Sequence, residues 1–274
     1  MSQLPSLLIS FSTLGLPEAN WAAACAVARA YGLGGVELRA LGGSVDLPRA
    51  LKQEFSTPPV FADACTESGL KIVSLDSSLR LIDAQEDHRQ ELRTLAEWAH
   101  AASVPFLRVF DGGQIGEGRD AAVRSAMLRE LDVWQQLKER EGFSSEVMVE
   151  THWALTEPKD ARLLAEESGG RLHLLWDVCH TWLHSGVSLA ETWEELKPWV
   201  SHIHVKDGVR DPNAPGGFRH TLPGEGELEI PALLETLAGD GFKGAVSLEW
   251  EKFWHPDLPS LEDALSAGRR HGWW

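Results

Sequence analysis

Four residues in the second half of the chain have the side-chain types of a divalent-metal site: Glu150, Asp177, His204 and Glu249, each at or near the end of a short aliphatic run. In EVMVETH, the period-two alternation of an extended chain puts Met148 and Glu150 on one face and Val147 and Val149 on the other. LHLLWDVCH ends its apolar run at Asp177, and His180 follows three residues later. SHIHVKDG sets His202, His204 and Lys206 on one face, and AVSLEWE aligns Ser247, Glu249 and Glu251. If these runs are neighbouring parallel strands, three carboxylates and an imidazole meet at one rim, where the acids repel one another unless a cation sits between them. Such a donor set suits one divalent ion, Mn2+ or Mg2+ before a structural zinc, with Co2+ or Zn2+ within its range, and leaves a position open for substrate. Each residue alone has a plainer use. Glu150 or Asp177 can cap the helix after its strand, and His204 can be a bonded core histidine, the reading given to His202. The coincidence on four successive strand ends favours the metal.

The elements that must position these groups are legible as an alternation. Eight short aliphatic or β-branched runs, at 6–12, 35–39, 71–76, 106–110, 146–150, 172–177, 201–205 and 245–249, are separated by Ala-, Leu-, Glu- and Arg-rich stretches such as 18–31, 86–102, 119–140, 157–168 and 189–197 with helical spacing. Glycines in AYGLGG, ESGL, EESGG and AGDGFKG punctuate the helix ends. The pattern predicts an α/β chain folded as one (β/α)8 TIM barrel over 1–274, a length typical of that fold. A doubly wound open sheet also alternates β and α. The polar strand ends, from SFST and ELR through VFDGG to EWE, favour the barrel, because barrel enzymes keep their sites at the C-terminal ends of the strands. The stretch 207–226 is a long loop candidate after strand seven.

Composition narrows the partners. With 25 Lys and Arg against 41 Asp and Glu, the formal charge of −16 repels phosphate backbones, so nucleic acid is not an expected partner. Three cysteines, Cys25, Cys65 and Cys179, have no CxxC spacing and an odd count, which fits a reducing compartment. No signal-peptide layout or membrane-length apolar run is present, and a cytoplasmic protein without a membrane partner is expected. A homo-oligomer is compatible with this composition.

The motifs GGVELR (34–39), VETH (149–152), WDVCH (176–180), HIHVKD (202–207), LPGEGELEI (222–230) and VSLEWE (246–251) together resemble the xylose isomerase-like TIM barrels, a superfamily that includes sugar isomerases and epimerases, inosose dehydratases and endonuclease IV. The resemblance spans nearly the whole chain. It implies metal ligands at Glu150, Asp177, His204 and Glu249, and substrate contacts at His180 and at Arg219, the nearest match to a strand-seven-loop arginine. It also implies an isomerase or epimerase of a small sugar, sugar phosphate or related polyol ketone. Glu150 and Glu249 would act as acid and base through an enediolate, with Lys206, His180 or Arg219 on the oxyanion. An inosose dehydratase-like lyase is the alternative. The endonuclease branch is disfavoured, because its extra metal-binding histidines are replaced by Glu37 with Arg39, by Ser77–Ser78 and by Phe218-Arg219-His220. Lys206, Arg210 and Arg219 among the loop glycines can form a phosphate pocket or a solvated loop. Trp153, Trp182, Trp250 and Trp254 can wall the substrate pocket or pack elsewhere.

Overall fold

A computed structural model of the chain describes residues 7–274. Eight strands form one parallel sheet: β1 (Leu8–Phe11), β2 (Gly35–Leu38), β3 (Lys71–Arg80), β4 (Phe106–Phe110), β5 (Glu146–Glu150), β6 (His173–Asp177), β7 (Val200–Val205) and, after a small hairpin of β8 (Asp207–Arg210) and β9 (Phe218–Thr221), β10 (Ala245–Leu248). Their order is β1-β10-β7-β6-β5-β4-β3-β2, and the barrel closes where Ser12 bridges Glu37 in parallel and the Gly34 amide donates to the Ile9 carbonyl at 3.0 Å. The expected (β/α)8 barrel is therefore the observed fold. Ser6, the first residue of the predicted first strand, lies outside the described residues.

Helices return the chain between strands: α1 (Trp21–Tyr31), α2 (Leu47–Phe55), α3 (Pro58–Ser68), α4 (Glu86–Ala101), α5 (Ala121–Glu141), α6 (Pro158–Glu167), α7 (Val178–Ser185), α8 (Leu189–Leu196), α9 (Ile230–Gly239) and α10 (Leu261–Arg270). Their ends carry the chemistry that orphan backbone groups require: Asn20 accepts from the Ala23 amide at the start of α1, and Gly32 ends that helix with φ at 67°, a left-handed conformation that favours glycine. No helix among the described residues is long and apolar enough to cross a membrane.

Alternation along the strands divides two environments. Val147 and Val149, Leu174 and Trp176, Ile203 and Val205, and Val246 and Leu248 join the hydrophobic core between sheet and helices. Met148, Leu175, His202, His204 and Ser247 are equally buried but belong to the other face, the barrel interior. Trp176 is fully buried and donates to Thr181 Oγ1 at 2.8 Å, so its truncation to Ala should cost about 3–5 kcal/mol.

Two differences from the sequence reading matter for the site. The third strand runs on to Arg80 instead of stopping near Asp76, because Ser77 spans to the next strand, its hydroxyl donating to the Arg108 carbonyl at 2.8 Å. The 207–226 stretch is not all loop: β8 and β9 pair antiparallel from Asp207↔Thr221 to Arg210↔Phe218. The buried Asp207 carboxylate holds the returning chain by accepting from the amides of Gly224 (2.8 Å), Gly226 (3.0 Å) and Leu228 (3.3 Å).

Candidate metal centre

Register sets the centre. Glu150 pairs with Leu175 between β5 and β6, Asp177 with His204 between β6 and β7, and His204 with Ser247 between β7 and β10, while the Glu249 amide donates to the Val205 carbonyl at 3.0 Å. The four strand ends thus finish at one level. Ligand-type atoms of Glu150, Asp177, His204 and Glu249 all lie within 4.8 Å of one another, and all four side chains are buried. From His204 Nδ1, Glu249 Oε1 is 3.4 Å away, and Glu150 Oε1 and Asp177 Oδ2 are each 4.0 Å away.

The hydrogen-bond inventory tests whether these residues fit a cation. Buried polar atoms in folded proteins almost always have partners. Here His204 Nδ1 is buried without a partner, and Asp177 Oδ2 and Glu150 Oε2 are met only by the charges of Lys206 at 2.9 Å and Arg108 at 3.2 Å. Asp177 takes up the plainer of its two anticipated uses, Oδ1 accepting from the His180 amide at 2.8 Å to cap α7, while Oδ2 faces the cluster. Glu249 also divides, with Oε1 toward His204 and Oε2 on the Lys206 ammonium at 2.5 Å. Three acids and one imidazole converging on one point fit a divalent ion.

The electrostatics agree. Burial pushes the Glu150 carboxyl up to about 8, with Arg108 opposing and the Glu249 charge adding to the rise. Burial likewise raises Asp177 to about 6, against the pull of Lys206. Burial would raise Glu249 too, but the Lys206 ammonium and His204 hold it well below the usual carboxylate range. His204 resists its burial because Glu37 and Glu249 hold its proton, so its pKa lies well above the ordinary imidazole value. A cation in the cluster would take over from those protons, since metal ligands bind deprotonated.

Residues that the sequence reading did not assign to the site complete it. Glu37 Oε2 of β2 lies 2.9 Å from His204 Nε2 and 3.1 Å from His202 Nε2, the arrangement by which a carboxylate orients a ligand imidazole. His202 is buried as expected, and its Nε2 also meets Ser247 Oγ at 2.7 Å. Arg108 of β4 is almost fully buried, donates to the Ser77 carbonyl at 2.9 Å, and has Nε 3.2 Å from Glu150 Oε2 and Nη2 3.6 Å from Asp76 Oδ2. Asp111, directly after β4, accepts from the amides of Gly112, His152, Trp153 and Leu155 and so fixes the loop that follows Glu150. A polar residue at an inward position of an apolar strand marked Glu37 and Arg108. Their partners lie more than a hundred and about forty residues away, out of reach of local pattern.

The expected substrate residues fall into two groups. His180 stands beside the centre: its ring is 4.2 Å, centroid to centroid, from that of His152, and its buried Nδ1 has no partner. Lys206 is buried in the centre, bound to Glu249 and to Glu251 Oε1 (2.6 Å) with Asp177 Oδ2 at 2.9 Å. Arg219 is not brought to the centre; it lies on β9 with 60% of its side chain exposed and Nε 3.5 Å from Asp211 Oδ2. Arg210 packs over the Trp182 ring at 3.9 Å. Trp250 is core, its Nε1 donating to the Pro259 carbonyl, whereas Trp254 is half exposed. Trp153 borders a rim cavity of about 500 Å³ with Arg80, Gly112, Gly113, Gln114 and Ile115. Gly112, at φ 77°, leaves that loop room: a Cβ there would stand 2.9 Å from the Ile82 carbonyl oxygen.

Comparison with known proteins places this geometry. Residues 25–271 match the family described as xylose isomerase-like TIM barrel. Over 222 residues, 71% of this chain and 75% of the relative, the sequence is 24% identical to a human protein named "Putative hydroxypyruvate isomerase". The structure is similar to that of the IOLI protein with a bound zinc atom, at 17% identity and a TM-score of 0.71 over 97% of this chain and 96% of that one. It is also similar to apo 3-keto-D-glucoside 4-epimerase, YcjR, from E. coli, at 17% identity and a TM-score of 0.69 over 97% and 100% of the two chains.

Proposed function

The chain belongs to the xylose isomerase-like TIM-barrel family, and from that premise we propose that it is a divalent-metal-dependent isomerase or epimerase of a small sugar, sugar phosphate or related polyol ketone. The observation that carries this reading is the convergence of Glu150, Asp177, His204 and Glu249, whose ligand-type atoms lie within 4.8 Å of one another in one buried cluster. A human relative named for an isomerase and structural neighbours named for an epimerase and for a bound zinc support it. Mn2+ or Mg2+ suits the three acids best, with Co2+ or Zn2+ compatible.

The four residues would hold the ion, which supplies Lewis-acid polarisation of a substrate carbonyl and its neighbouring hydroxyl. The strand order gives the proton chemistry. β5 and β10 are the outer strands of the arc β10-β7-β6-β5, so Glu150 and Glu249 flank the centre from its two sides while Asp177 and His204 stand between them. One glutamate removes the proton from the carbon next to the carbonyl, and the other returns it, to the same carbon for epimerisation or to its neighbour for isomerisation. Lys206 keeps Glu249 aimed and charged, and its ammonium would stabilise enediolate charge that develops beside it. His180, with a free buried ring nitrogen beside His152, is placed to bond a substrate hydroxyl. The rim cavity beside Trp153 gives the remainder of the sugar an aromatic wall.

The test is a screen of ketoses, inososes and their phosphates with the manganese-loaded protein in heavy water. Isomerised or epimerised product carrying solvent deuterium supports the proposal. Dehydrated product with loss of a β-hydroxyl would make the enzyme a lyase, and turnover undiminished after exhaustive chelation would overturn the metal-dependent reading.

A further inference from the structure

Outside the four-residue centre, a second set of metal-capable side chains stands at the mouth of the barrel. His220 of β9, Glu251 just beyond β10 and His255 four residues later each bring one ligand-type atom to within 4.8 Å of the others. None of the three belongs to the first centre. The backbone builds the set: the His255 amide donates to the Glu251 carbonyl at 3.0 Å, a single helical turn that stacks these two side chains on one face. That turn is pinned to the barrel. The Phe253 amide donates to the Leu14 carbonyl at 3.0 Å, and Lys252 Nζ donates to the carbonyls of Pro256 (3.0 Å) and Leu258 (2.5 Å).

The side chains leave room for a ligand. Glu251 gives Oε1 to Lys206 at 2.6 Å, while Oε2 stands 3.8 Å from His255 Nε2. The His220 ring lies 5.0 Å, centroid to centroid, from that of His255, and its buried Nδ1 has no hydrogen-bond partner. Two imidazoles and one carboxylate are the donor set of an open tetrahedral zinc site, in which Zn–N bonds of about 2.0–2.1 Å set ligand atoms roughly 3.3 Å apart. The 3.8 Å between Glu251 and His255 is close to that spacing. Hard cations such as Mg2+ and Ca2+, which prefer oxygen ligands, would gain little from this pair of imidazoles.

We propose that His220, Glu251 and His255 form a rim site for Zn2+ or Co2+, distinct from the buried centre. The side chains of His255 and Glu251 are 52% and 18% exposed, so this ion exchanges with solvent more readily than one held by the four buried residues. Because Glu251 shares its carboxylate with Lys206, a cation there acts on the inner centre through one ammonium and adds positive charge over the mouth.

The test uses the full-length protein, stripped of metal and dialysed against graded free Co2+ or Zn2+, with bound metal counted by elemental analysis. The native protein should take up two ions in two phases. His255→Ala, an exposed position that folding tolerates, should keep the tighter ion and lose the weaker, and Asp177→Ala should do the opposite. The visible bands of tetrahedral Co2+ that belong to the weaker phase should be missing from His255→Ala. A native protein that saturates at one ion, or a His255→Ala variant whose uptake matches native in both phases, would overturn the proposal. Because the readout is metal and not turnover, failure of the inner centre would appear separately, as an Asp177→Ala variant that loses nothing.

Discussion

The two halves of the barrel carry similar residue types at their strand ends and use them differently. On β2, β3 and β4 each buried acid faces a basic partner: Glu37 meets His202 and His204, and Asp76 faces Arg108. On β5, β6, β7 and β10 three buried acids share the Lys206 ammonium and an arginine reaching across from β4. Oxygens without a hydrogen-bond partner occur on both sides, at Glu37 Oε1 and Asp76 Oδ2 as well as at Glu150 Oε2 and Asp177 Oδ2. Residue type at a strand end therefore does not identify a metal ligand. What separates the two sides is the convergence of three acids on one point, because crowded buried acids are costly unless something supplies counter-charge.

The contrast breaks most visibly at the crowded side. Asp177→Ala or His204→Ala should remove the inner metal and activity together, a loss checked by elemental analysis beside turnover, and adding Mn2+ should not restore either. Glu150→Gln and Glu249→Gln should instead keep much of the metal while turnover falls by about 10²-fold or more, the scale of general acid–base contributions. Retained turnover in both variants would leave these glutamates as ligands only. On the partnered side, Glu37→Gln should weaken metal binding by about 10–100-fold, as the loss of an orienting carboxylate does, and competition with a chelator measures it.

How far the sequence reached follows the same division. Glu150, Asp177, His204 and Glu249 were legible because each ends an apolar run whose alternation fixes its face, and parallel neighbours put the four ends together. Glu37 was marked as a polar residue on an apolar strand, but its role was not legible, since its partner His204 is 167 residues away. Asp111 reads as part of a turn, DGG, and nothing local shows that its oxygens collect amides from beyond β5. The β8–β9 hairpin was masked by its own connection, DPNAPGG, whose prolines and glycines dominate any reading of that stretch. Arg219 was placed by motif, and the hairpin register turns it toward Asp211.

Smaller effects sharpen the comparison through pH. Burial raises Glu150 and Asp76 to about 8 each, far above their values in the unfolded chain. An acid with a raised folded pKa stabilises the protein below its unfolded pKa, and that contribution is lost as pH rises through the folded value. Above pH of about 7 the buried histidines with lowered pKa values are largely neutral in both states, so they mask little of the trend. The metal-free protein should lose Tm as pH rises from about 7 to about 8 and level off above that, by about 2–4 °C for each kcal/mol lost. Glu150→Gln should reduce that slope, with Asp76 and the raised His204 carrying the rest, and saturating Mn2+ should suppress it further. A flat native profile would mean that the excess acids are already compensated. Smallest of all, Arg219→Ala should change KM by less than about fivefold with kcat unchanged, because an exposed charge contact is worth at most about 1 kcal/mol; steady-state kinetics would show a larger change if the hairpin closes over bound substrate.

The seam of the barrel joins two jobs in one residue. The backbone of Glu37 makes the bridge to Ser12 that joins the first and second strands, and its carboxylate reaches across the interior to His204. Ring closure and ligand orientation are therefore mechanically linked: any breathing that parts β1 from β2 pulls on the imidazole. The link also runs the other way, so that an ion held by His204 would latch the barrel shut. Amide exchange at Ser12, whose N–H bonds the Leu248 carbonyl, and at Gly34, bonded to Ile9, should slow when the inner centre is loaded, although neither residue touches it.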